Sequence, residues 1–164
     1  MAPERFDLEP ALAENARVRA DLLAVLARVP EDRRASVAHG TWRAHDVVAH
    51  FAGAQGGYAE ALEHIARGEP PAITDYGPPG PPHDWDARVV ARSAGRGWRQ
   101  LLTDLDAARV RHEAAARACG ARLADDERAC FFAVNLARHE SGHTDALARW
   151  LALEEAPRAP SGDA

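Results

Sequence analysis

Three histidines carry the chemistry most readily read from this chain: His50, His139 and His143. His139 and His143 are four apart, so on a helix both imidazoles project from one face, and such a pair chelates a single ion. Neutral imidazole is a common ligand for zinc and other divalent metals. Three of them would leave the ion doubly charged and coordinatively open, as in catalytic rather than structural sites. An ion of that kind lowers the pKa of bound water to about 7. It equally holds a thiol as thiolate, which is nucleophilic at neutral pH. The residues forming a catalytic group beyond the ligands are left unassigned.

The elements that must position these residues are four helical segments, with no convincing strand. The first is expected from about Asp7 to Val29, with Leu8, Leu12, Ala16, Leu22, Leu23 and Leu26 at helical spacing and Pro30 as the stop. The second is expected from a Thr41 N-cap to near Gly68, with the stripe Val47, Phe51, Ala54, Tyr58, Leu62 and Ile65 and with Asp46 near its positive end. The third begins near Asp84 to Asp86, is weakened at Gly95 and Gly97, and stops by Gly120. The fourth runs from Asp125 through Leu151. On it Phe132, Leu136, His139, His143, Leu147 and Trp150 form a core-facing seam.

Residues 1–153 read as one domain, and 154–164, with Pro157, Pro160 and Gly162, as a disordered tail. The 67–85 stretch between the second and third segments is rich in Pro and Gly. It is long enough to carry the chain back along a helix, or to cover a site with Tyr76, His83 and Trp85.

Helix rise tests whether the three histidines can meet. His50 lies roughly 13 Å from the expected start of its helix, and His139 and His143 roughly 21 and 27 Å from the start of theirs. The three share one level if the second and fourth helices are antiparallel, and miss it by roughly 8–14 Å if parallel. The site therefore requires an all-α, up-down-down-up four-helix bundle. The same arithmetic removes His64 and His112. His45 points to another face, and His39 and His83 fall in loops. All five read as surface or loop residues.

His139-Glu140-Ser141-Gly142-His143 also spells H-E-x-x-H, the zinc-protease pattern in which the Glu is general base. No sheet precedes it, and Ala146 and Arg149 occupy the positions of the extended motif, so Glu140 is expected on a flank, in solvent or in a salt bridge. Asn135 and Tyr58 are candidate neighbours of the site, with packing roles equally open.

Bulk properties narrow the functions further. The chain has 164 residues and a net charge of −5 with no basic face, which argues against a nucleic-acid partner. No apolar run approaches a membrane span, and no signal peptide is expected. Cys119 and Cys130 stand in no metal or redox spacing and read as free thiols of a cytoplasmic protein. All 20 basic residues are arginine, which excludes Schiff-base and P-loop lysine mechanisms.

The stretch Thr41-Trp42-Arg43-Ala44-His45-Asp46-Val47-Val48-Ala49-His50-Phe51 resembles the second-helix signature of the DinB/YfiT-like superfamily, and Ala137-Arg138-His139-Glu140-Ser141-Gly142-His143 resembles its fourth-helix His-x-x-x-His. With the order of the helices, the resemblance spans nearly the whole chain. It implies a left-handed up-down-down-up bundle with a three-His site for zinc, nickel, iron or manganese at His50, His139 and His143. It also implies a metal-dependent activity on a small molecule. Members include mycothiol- and bacillithiol-dependent S-transferases, mycothiol-dependent maleylpyruvate isomerases and self-resistance hydrolases of natural-product pathways, and relatives often form homodimers. Ala54 stands where many relatives place a Trp, which leaves the substrate class open. The leading expectation is thiol transfer to an electrophile, with mycothiol or another low-molecular-weight thiol as co-substrate. Hydrolysis, hydration or isomerisation through metal-bound water is the alternative, and a non-catalytic metal-binding bundle is a third.

Overall fold

The structure, a computed structural model, describes residues 6–71 and 84–155. These residues form six α-helices and one two-stranded hairpin: α1 (Leu8–Ala27), β1 (Val37–His39), β2 (Trp42–Arg43), α2 (Ala44–Ala66), α3 (Asp84–Arg92), α4 (Trp98–Cys119), α5 (Arg122–Asp125) and α6 (Glu127–Glu155). The protein is thus predominantly helical. No helix among the described residues is long and apolar enough to cross a membrane.

Local chemistry explains the boundaries. Asp7 starts α1 by accepting a hydrogen bond from the Glu9 amide. Asp126 starts α6 by accepting from the Arg128 and Ala129 amides. The expected Thr41 cap is replaced by a hairpin. Gly40, at φ 58°, turns the chain so that Val37 pairs with Arg43 and His39 with Trp42. Helix α2 then begins at Ala44, where Asp46 accepts from the Arg43 backbone and guanidinium. The weak spot expected at Gly95 and Gly97 is a full break, with Gly95 at φ 83° between α3 and α4. The helical backbone of α6 includes Glu154 and Glu155, so a tail starting at 154 is too early. Residues 156–164, with Pro157, Pro160 and Gly162, lie outside the described residues, as do Tyr76 and His83.

Packing fixes the direction of each helix pair. Along α2 against α6, His50 meets His139 and Tyr58 meets Asn135 and Phe132, so the two run antiparallel. Along α1 against α6, Asn15 bonds Ala133 and Ala137 while Arg19 bonds Glu140, so these run parallel. Helix α2 packs on α4 with Phe51 beside Leu101 and Leu105, and with the Leu62 carbonyl against Cys119, again parallel. Helix α3 crosses α2 where Gly53 has no side chain; a Cβ there would lie 2.0 Å from Val89 Cγ1.

The core divides into two main apolar regions. One gathers Leu12, Tyr58, Leu62, Ala116, Phe132 and Leu136. The other gathers Leu22, Val47, Phe51, Leu101, Leu105 and Leu147. The expected stripe of α2 is buried throughout, whereas Leu23 and Ala16 of α1 face outward. Between the two regions lies a buried polar layer: Arg19 of α1, Gln55 of α2 and Glu140 of α6. The Arg19 guanidinium donates to both Glu140 carboxylate oxygens, to Gln55 Oε1 and to the Leu105 carbonyl.

Candidate metal centre

Helical spacing and helix direction together bring His50, His139 and His143 to one point. One nitrogen from each lies within 4.8 Å of the others, and the Nε2 atoms of His50 and His139 are 2.8 Å apart. The antiparallel α2 and α6 required by the rise arithmetic is the arrangement observed. Phe51 contributes an apolar wall, its ring centroid 5.8 Å from that of His139 and 5.4 Å from that of His143.

Burial sets the protonation state. Desolvation holds His50 down to about 2, helped by the neighbouring His139 and His143. Desolvation likewise lowers His139 to about 4, with His143 adding to it, and His143 to about 4, with His39 adding to it. All three are therefore neutral at pH 7, the state in which imidazole binds a metal. The Nδ1 atoms of His139 and His143 are buried and take no hydrogen bond from the described residues. Three neutral imidazoles that each bring a nitrogen to one point fit a cation ligand set. The donor set, all imidazole, suits zinc, nickel, iron or copper better than calcium or magnesium.

The lowered values predict acid sensitivity of the metal-free fold. The unfolded chain takes up protons on these histidines below about 6.5, and the folded chain does so only toward about 4 or below. Unfolding free energy therefore falls as pH drops from about 6.5 to 4.5, by up to about 1.4 kcal/mol per pH unit for each imidazole. The carboxylates lowered by arginine partners, such as Asp46, lose their contribution only below that window. Urea unfolding of chelator-treated protein at pH 7.5, 6.5, 5.5 and 4.5 measures this; a flat profile down to 5 would contradict the assigned burial.

The hairpin supplies two residues that sequence reasoning did not place here. Trp42 stacks on His143 at 6.0 Å with rings 12° apart, and lies 4.6 Å from the His50 ring. His39, expected as a loop residue, stands edge-on to His143 at 5.1 Å. The signal available was Gly40-Thr41, a turn between Val37-Ala38-His39 and Trp42. A cleft of about 390 Å³ opens over the centre, lined by His39, Asn135, Arg138, His139, Gly142 and His143. Asn135 lines it while donating to the Tyr58 hydroxyl, and Tyr58 is fully buried.

The other histidines fall elsewhere. His45 bonds the Arg96 carbonyl and pins the start of α2 to the α3–α4 break. His64 is 3.3 Å from Glu69. His112 is a correction: it is buried, not superficial, and its Nε2 bonds the Phe132 carbonyl at 2.8 Å. It shares the inner face of α4 with Leu105, Ala115, Ala116 and Cys119; its height removes it from the metal centre but does not expose it. Burial lowers its pKa, so it serves as a neutral donor bridging α4 and α6. Glu140 is also buried, and its salt bridge is to Arg19 rather than at the surface. Both of its oxygens are engaged by Arg19, away from the His centre, so the H-E-x-x-H match lacks a general base in the protease sense.

No family model, curated protein or solved structure matches this chain.

Proposed function

We propose that the chain is a DinB/YfiT-like up-down-down-up four-helix bundle that binds a divalent metal, zinc first among candidates, and acts as a thiol-dependent S-transferase on an electrophilic small molecule. The observation that carries this reading is the convergence of three neutral imidazoles, His50 buried and His139 and His143 half-buried, at the floor of an open cleft. Support for the bundle comes from the helix pairings: α1 with α6 and α2 with α4 parallel, α2 with α6 antiparallel.

His50, His139 and His143 would hold the ion, which when bound supplies a thiol in its nucleophilic, deprotonated form. The chain's own residues do the rest. Trp42 and Phe51 fix the imidazole planes and keep bulk water from the inner side. The cleft lined by His39, Asn135 and Arg138 admits the thiol and the electrophile from the outer side. Transfer forms a carbon–sulfur bond and expels the electrophile's leaving group with its electron pair, while the thiol proton passes to solvent.

Zinc-loaded protein mixed with mycothiol or bacillithiol and monobromobimane should consume the thiol faster than the uncatalysed reaction, and His143→Ala should abolish the excess. No excess with either thiol overturns the transferase reading. Product formation from a hydrolysable ester without any thiol favours instead the metal-water reading, hydrolysis, hydration or isomerisation, which the solvent-open cleft also accommodates.

A further inference from the structure

The cleft over the histidines has a one-sided charge. Among the described residues its lining contains Arg138 and no acidic residue. Glu140, the nearest carboxylate in sequence, is turned inward onto Arg19. Several outer arginines have carboxylate partners, as Arg43 has Asp46, Arg111 has Glu63 and Arg128 has Asp126. Arg138 has no salt bridge or side-chain hydrogen bond among the described residues, and it is exposed. One turn further on the same face stands Gly142, where a Cβ would meet nothing within 4 Å. The cleft that Arg138 shares with His139 and His143 is therefore unobstructed at Gly142. A planar guanidinium in such a setting binds carboxylate or phosphate through two parallel hydrogen bonds. With a divalent cation beneath it, the cleft would focus positive potential on whatever enters.

We infer that Arg138 is a specificity-determining residue that binds an anionic group, a carboxylate first, carried by the co-substrate a few bonds from the atom that reaches the histidine centre. The inference rests on the transferase reading for the identity of that atom as sulfur, but the anion contact itself does not need sulfur. Among the described arginines, it selects the one that lines the cleft with His139 and His143.

Calorimetric titration of the full-length, zinc-loaded protein with mercaptoacetate, mercaptoethanol and glycolate tests it, on wild type and Arg138→Gln. Wild type should bind mercaptoacetate at least about tenfold more tightly than mercaptoethanol, in line with one charge-assisted bidentate pair. Arg138→Gln should bring mercaptoacetate down to the mercaptoethanol level and leave zinc content and mercaptoethanol affinity unchanged. Equal binding of glycolate and mercaptoacetate, both weakened in the variant, supports the anion contact while removing the thiol reading. A preference for mercaptoacetate that survives in Arg138→Gln overturns the inference, since the carboxylate would then be held by the metal alone. So does a wild type that shows no preference for either anion over mercaptoethanol.

Discussion

His143→Ala is expected to raise the dissociation constant for zinc by more than about 100-fold, because loss of a ligand exceeds the 10–100-fold effect of losing an outer partner. His50→Ala should do the same, and it should also lower stability, since His50 is fully enclosed whereas His143 reaches the cleft. The comparison separates binding from folding: His143→Ala should keep near-wild-type urea unfolding in the metal-free state. His45→Ala and His64→Ala serve as controls and should retain zinc, because their rings turn to Arg96 and Glu69. Metal analysis after dialysis against a weak chelator is sufficient. Full zinc occupancy in both His50→Ala and His143→Ala would remove the assigned centre.

The second large effect belongs to the polar layer. Glu140→Ala should destabilise the metal-free fold by about 3–5 kcal/mol, because it strands the buried Arg19 guanidinium without a counter-ion. Burial alone pushes the Glu140 carboxyl up, against the opposing pull of Arg19, so the layer depends on both partners being present. Replacing the set together, as Arg19→Met, Gln55→Leu and Glu140→Leu, should recover most of that loss or exceed wild type, since apolar substitutes of similar volume match buried ion pairs. Chemical unfolding of the single and triple variants decides it. A loss under about 1 kcal/mol for Glu140→Ala would mean that Arg19 reaches solvent or another acceptor.

The core seams and the clustering of the three histidines were legible because helical periodicity and rise are enough to place them. Val47, Phe51, Ala54, Tyr58, Leu62 and Ile65 are all buried, and the three histidines meet on antiparallel helices. What escaped depended on partners distant in sequence. Glu140 looks like a surface acid until Arg19, 121 residues away, is brought against it. The hairpin is too short for a period-two pattern, so Thr41 read as a helix cap, His39 read as a loop residue and Trp42 was not placed as a wall of the site. His112 was set aside by height alone, although its spacing to Leu105, Ala115 and Ala116 already marked an inner face.

Asn15 gives the centre a dependence of another kind. Its side-chain amide takes the Ala133 carbonyl and the Ala137 amide, the two groups that close one rung of an uninterrupted helix. That rung lies just before His139. This turn of α6 is therefore tied to α1 by a residue more than a hundred positions away. Such a contact forms late, after the long loop between the two segments has closed. Asn15 thus couples the docking of α1 to the turn that precedes His139. A metal ion held at His50, His139 and His143 would therefore depend on the seating of a helix that supplies none of its ligands.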